Sequence, residues 1–319
     1  MDAGAVTPDL ARGVLESSLA LKAGERLVVV TDTPTLPIGQ ALFEGGLQAG
    51  AVAVLTVIAP TGRNGAEPPP AAAAAMLGAD VLVCPTRFSL SHTQARLRAT
   101  EAGARVATMP GVHAGMFFDG PITADHAEVA RRTLALQRLL TAAQHVLVRS
   151  GSGSELRFSI QGREGRASTG RLVTPGAFGN LPSGEAYLAP LEGTAEGELV
   201  VNASVAGIGR LESPMRLVIR SGELVEADGA AGGRLLELLG ERPGARNLAE
   251  FGIGTNERAR ITGVILEDEK AIGTIHIAFG DNSTFGGTVR AGVHIDTVIQ
   301  GPDVFLDDVQ ILGGGQLLV

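Results

Sequence analysis

Four short apolar runs between Glu25 and Pro110 limit the fold more than any other feature of the chain. ERLVVVTD (25–32), AVAVLTVIA (51–59), DVLVCP (80–85) and RVATMP (105–110) are of strand length and apolar almost throughout, as in strands covered on both faces. Helical segments separate them: residues 37–49, PPPAAAAAML, and SHTQARLRATEAG with its closing glycine. Another helix is predicted ahead of them over 8–21, with Thr7 as N-cap and Pro8 in the first turn. Parallel strands joined through helices need right-handed crossovers, so this part reads as an open, doubly wound parallel α/β layer. A long helix over about 123–143 ends or bridges it.

Beyond residue 144 the texture changes. HVLVRS, ELRFSI and GRLVTP read as short strands between Gly/Ser turns, and MRLVIRSGELVEADG reads as a hairpin turning at Ser221-Gly222. One helix is predicted at 231–241. The expected organisation is an N-terminal α/β domain (1–144) followed by a mostly antiparallel, β-rich α+β domain (145–319) that carries a metal site.

Composition removes several function classes. Net charge is −8, and Lys22 and Lys270 are the only lysines. No basic run is dense enough to neutralise phosphates, so nucleic acid is not an expected partner. The single cysteine, Cys84, rules out an intramolecular disulfide and a Cys-rich metal site. At the end of VLVC it reads as a buried thiol. MDAGAVTPDLARG lacks a basic stretch ahead of an apolar one, so it does not read as a secretory signal. No segment reaches the ~18–20 apolar residues of a membrane span. A cytoplasmic protein with no membrane partner is expected.

Chemistry concentrates between Leu248 and Ile299. Glu250, His276, His294 and Asp296 are the nitrogen and carboxylate ligand types that suit zinc, cobalt, manganese or iron. His294-Ile295-Asp296 places an imidazole and a carboxylate on one face of a strand. In TIHIAFG, His276, Ala278 and Gly280 share the face opposite Ile275, Ile277 and Phe279. Glu185 follows a Pro-Ser-Gly turn. Each has a plainer reading: a surface His–Asp pair, a hydrogen-bonded histidine, two solvated glutamates. Glu267-Asp268-Glu269-Lys270 reads as a solvated turn. Ser183, His276 and Asp296 make a triad only on paper, without a G-x-S-x-G elbow.

Taken in order, NLPSGEAYLAP, EFGIGTN, ILEDEKAIGTIHIAFG and VHIDTVI resemble the M29 metallopeptidases, the thermophilic aminopeptidases of the T and S type. SHTQAR is similar to that family's S-x-T-x-A segment. The resemblance implies a metal-dependent aminopeptidase that removes the first residue of short peptides, as a homodimer enclosing its site. It implies two divalent ions (Zn, Co or Mn) on Glu185, Glu250, His276, His294 and Asp296, with Glu185 or Glu250 as general base. Two such ions can bridge a water and polarise a carbonyl. One position departs from the family: Ser283 stands seven residues after His276, where these aminopeptidases carry tyrosine. Asp281, Asn282 or Ser283 would have to take over its hydrogen bonds.

Two other functions compete. A branch similar to this fold contains the ring-cleaving 2,5-dihydroxypyridine 5,6-dioxygenase, with one non-haem Fe(II) on two histidines and a carboxylate. His294 and Asp296 suit two of those places and His276 the third, while Glu185 and Glu250 exceed what a single iron needs. The third reading is a metal-binding scaffold without turnover. The dinuclear aminopeptidase is the first expectation.

Overall fold

A computed structural model describes residues 5–151 and 153–319. It divides into two compact units, one running to Ala130 and taking in Ser168–Ser183, the other formed by Arg131–Ala167 and Gly184–Val319.

The first unit holds a five-stranded parallel sheet ordered Val52–Ile58, Arg26–Asp32, Val81–Thr86, Arg105–Pro110, Phe178–Asn180. Its central strands are buried along their length, as continuously apolar runs require. Helix Pro8–Leu19 starts as expected: Pro8 occupies its first turn and the Thr7 hydroxyl accepts from Leu10 N at 3.3 Å. It packs closely on helix Leu36–Gln48, where a Cβ on Gly45 would lie 2.6 Å from the Pro8 carbonyl oxygen. GRLVTP is not a strand. Leu172 N donates to the Ser18 carbonyl, and the chain then returns to the parallel sheet through Phe178–Asn180.

Cys84 is fully buried, and burial pushes its thiol up to about 12. It is therefore expected to resist a thiol reagent at pH 8 in the native protein and to react at once in denaturant. Rapid native labelling would mean that this core opens readily.

The second unit stacks two antiparallel sheets. One has eight strands; the other runs Gly209–Arg210, Ser204–Val205, His294–Gln300, Thr274–Gly280, Leu248–Gly254, Glu185–Leu188, Arg166–Ser168. Their facing sides share one apolar core, in which Phe158 and Phe251 meet edge to face at 5.4 Å. The hairpin expected at Ser221-Gly222 forms, both residues having positive φ as a tight hairpin turn demands. A parallel α/β layer is thus followed in the chain by a β-rich unit, as expected. Among the described residues, no helix is long and apolar enough to cross a membrane.

Candidate metal centre

Strand periodicity sets the site. Ile275, Ile277, Phe279, Ile295, Ile299, Phe251 and Ile253 point into the core between the sheets. Their alternates, Glu250, Gly252, His276, Ala278, His294 and Asp296, occupy the opposite face of the seven-stranded sheet. Register then brings ligands together: Glu250 pairs with Ala278, and Ala278 with Asp296. The short alanine between two carboxylates leaves space above it. Glu185 pairs with Gly254 on the next strand, so its side chain joins the same face. Gly252 lies opposite His276, and a Cβ there would fall 2.1 Å from the imidazole Cε1.

His276 is 1% exposed, and Glu185 and Glu250 are buried beside it, so this face is covered around them, contrary to a solvated reading of the two glutamates. Glu267, Asp268 and Lys270 are also buried, which corrects the expectation of a solvated turn. The Asp268 carboxylate accepts from Thr262 N at 2.6 Å and Gly263 N at 2.9 Å. Lys270 Nζ reaches Glu185 at 2.6 Å and Glu269 at 2.5 Å.

Two ligand clusters result among the described residues. Glu185, Glu269 and His276 form one; Glu250, His294 and Asp296 form the other, with ligand atoms within 4.8 Å of each other in each. His276 belongs to the first cluster, so the grouping with His294 and Asp296 is made by Glu250. Glu250 links the clusters, since its Oε1 is 3.3 Å from His276 Nε2 and its Oε2 is 3.3 Å from His294 Nε2. Glu269 was missed in the sequence because it sits inside a charge run.

The His294 tautomer is fixed. Its Nδ1 donates to the Asp281 carbonyl at 2.7 Å, and a carbonyl can only accept. In the neutral ring Nε2 therefore carries a lone pair. That lone pair faces Glu250 at 3.3 Å and Asp296 at 3.4 Å. Three acceptors converge where only a cation, a proton or a metal ion, satisfies them. The donor set, two carboxylates and an imidazole oriented from behind, fits a divalent ion of the iron or manganese type.

The same convergence governs protonation in the metal-free protein. Burial opposes charge on His294, but Asp296 and Glu250 raise its pKa well above the usual imidazole value. His276 is likewise opposed by burial, yet Glu250 and Glu185 push it up to about 9. Burial acts to raise the carboxyl of Glu250, and the two imidazoles outweigh it and hold the group below the usual range. Because the folded value for His276 exceeds its ordinary 6.5, its stabilisation is complete below pH 6.5 and disappears as pH rises through about 9. The chelated protein is expected to lose several degrees of melting temperature between pH 7 and 9.5. A flat profile would mean that His276 does not gain its proton from these carboxylates.

The loop between the His276 and His294 strands does not replace the family tyrosine. Asp281 accepts from Ser283 N and Oγ and from Ala291 N, while Asn282 bonds to Glu192 and Val289 N. These side chains hold the loop itself. Phe285 packs edge-on against His294 at 5.8 Å and against Tyr187 at 6.0 Å. Tyr187 shares the site face with Glu185; burial, then Glu250 and Glu185, keep its phenol protonated far above the usual value. A cavity of about 510 Å³ in the first unit, beside Asp9, His126 and Arg171, contains none of the five expected ligands.

A family model, 2,5-dihydroxypyridine 5,6-dioxygenase (NicX), matches residues 10–319. The chain belongs to the NicX family. A curated relative of that name from Pseudomonas putida KT2440 is 26% identical over 208 residues, covering 59% of this chain and 58% of the relative's length. The solved 2,5-dihydroxypyridine dioxygenase of Pseudomonas putida KT2440 superposes with a TM-score of 0.84 at 20% identity, covering 98% of this chain and 96% of that one. AmpT from Thermus thermophilus superposes with a TM-score of 0.73 at 19% identity, covering 98% of each chain. Likeness to AmpT is therefore one of fold alone. The expected aminopeptidase, with its peptide substrate and hydrolytic chemistry, is overturned by the NicX match, which favours the dioxygenase alternative over it.

Proposed function

We propose that this chain is a ring-cleaving dioxygenase acting on 2,5-dihydroxypyridine or a closely similar dihydroxylated pyridine. Its centre takes one divalent ion, ferrous iron, on Glu250, His294 and Asp296. The observation that carries this reading is the His294 Nε2 lone pair aimed between two carboxylates, within a chain of the NicX family. The two-ion aminopeptidase set of Glu185, Glu250, His276, His294 and Asp296 divides here between two clusters, and Glu250 stands where the dioxygenase alternative placed His276.

Bound there, iron supplies the one-electron chemistry that lets dioxygen react with an aromatic ring. The chain's own residues do the rest. Glu250, His294 and Asp296 hold the ion, and the Asp281 carbonyl keeps the imidazole turned towards it. Phe285 shields one side of His294 from water. Tyr187, protonated at any working pH, is a hydrogen-bond donor for a ring oxygen. The overall balance is one O₂ consumed per ring opened, with no water added.

Iron-loaded protein is expected to consume one O₂ per 2,5-dihydroxypyridine, with loss of the ring absorbance, and to leave aminoacyl amides intact. Amide hydrolysis without oxygen uptake would return the site to the peptidases. Metal uptake must displace the His294 proton, so apparent affinity is expected to climb about tenfold per pH unit for each proton released across the neutral range. Affinity independent of pH from 6 to 8 would exclude this imidazole as a ligand.

A further inference from the structure

We infer that Lys270 is the centre's built-in cation and limits it to one metal ion. The inference rests on the proposed single-metal centre at Glu250, His294 and Asp296. Beside that trio lies a second set of ligand types, Glu185, Glu269 and His276, with ligand atoms within 4.8 Å of each other. By donor chemistry alone it matches the first: two carboxylates and an imidazole, nearly all buried. The difference that decides its charge is a lysine. The Lys270 ammonium lies 2.6 Å from Glu185 Oε1 and 2.5 Å from Glu269 Oε1.

A metal ion on these two carboxylates would take up the oxygens that now accept from Nζ and would sit against a positive charge. Lys270 has nowhere else to put that charge, because its side chain is 2% exposed and its stem runs through the interior. The ammonium is a fixed occupant. Glu250 carries the consequence across, since its Oε1 faces His276 of the filled cluster and its Oε2 faces His294 of the open one. One cluster is neutralised by the chain, and the other is left for a metal. Lys270 is thus a positioning residue that sets metal count, and it does so without being a ligand.

The test is metal stoichiometry in wild type and Lys270→Met. Methionine keeps much of the volume and removes the charge. Wild type dialysed against Mn²⁺ is expected to hold one ion per chain and to show the paramagnetic resonance of an isolated ion. Lys270→Met is expected to hold two, with a spin-coupled signal. Two coupled ions in wild type, or one ion in folded Lys270→Met, would overturn the inference. If the variant folds only with metal present, refolding is expected to need two equivalents of Mn²⁺, and refolding with one would count against it. The ring-cleavage assay is separate: one ion without oxygen uptake would sink the proposed reaction and leave the role of Lys270 intact.

Discussion

Glu250→Ala is expected to strip the centre of metal and to destabilise the metal-free fold together. Among the described residues Glu250 is the one carboxylate that faces both imidazoles, at 3.3 Å in each case. Its loss removes a ligand from the proposed trio, and disturbing even an outer partner of a metal ligand commonly costs 10–100-fold in affinity, so more than about 100-fold is expected here. It also leaves the buried His276 ring and the part-exposed His294 ring without the charge that holds their protons. Breaking a buried ion pair from one side costs about 3–5 kcal/mol. His294→Ala and Asp296→Ala are expected to lose metal comparably, with the first unit still folded, because both lie in the second unit. Metal content by elemental analysis and thermal melts in chelator check each variant. Wild-type metal content in all three would remove the trio from the metal site.

Gly252→Ala is expected to be nearly as damaging, although glycine carries no chemistry. An alanine Cβ there would stand 2.1 Å from His276 Cε1 and 2.2 Å from Nε2, distances no real contact allows. The imidazole would have to leave the space above residue 252, giving up its bond to Glu250. Overpacking of this kind costs about 1–3 kcal/mol, and a stranded buried carboxylate adds to it. The alkaline loss of stability between pH 7 and 9.5 should vanish in the variant, since the ring responsible is displaced. Adding His276→Ala removes the clash, so the double variant is expected to melt above Gly252→Ala alone. Simple additivity of the two substitutions would refute the steric account.

Much of this architecture is legible in the residues. Continuous apolar runs such as LVVVT at Leu27–Thr31 and VLVC at Val81–Cys84 announce strands covered on both sides, and the structure places both near the middle of the parallel sheet. His294-Ile295-Asp296 shows its shared face through period two alone. Other features leave no such trace. The three-residue strand Phe178–Asn180 is too short to carry a pattern, so the return of 168–183 to the first unit is invisible to periodicity. Glu269 and Lys270 lie in a charge run, and charge runs usually mean solvent; only the fold shows that each finds a partner of opposite sign.

The reaction is not legible in the motifs for a related reason. EFGIGTN, GTIHIAFG and HIDTV lie on or beside three strands of a fold that the solved 2,5-dihydroxypyridine dioxygenase and AmpT both share. Their order reports how strands deliver side chains to one face, and it is silent about which reaction those side chains serve. Ser283, where the aminopeptidases carry tyrosine, is the one position at which these motifs depart from that family. Its Oγ donates to the Asp281 carboxylate, and the Asp281 carbonyl accepts from His294 Nδ1.

The most direct test of the central claim is isotopic. Iron-loaded protein turning over 2,5-dihydroxypyridine under ¹⁸O₂ in ordinary water is expected to give a ring-opened product carrying both labelled atoms. A product that takes its oxygen from water, or an intact ring, would contradict the assignment of this centre to ring-cleaving dioxygenation.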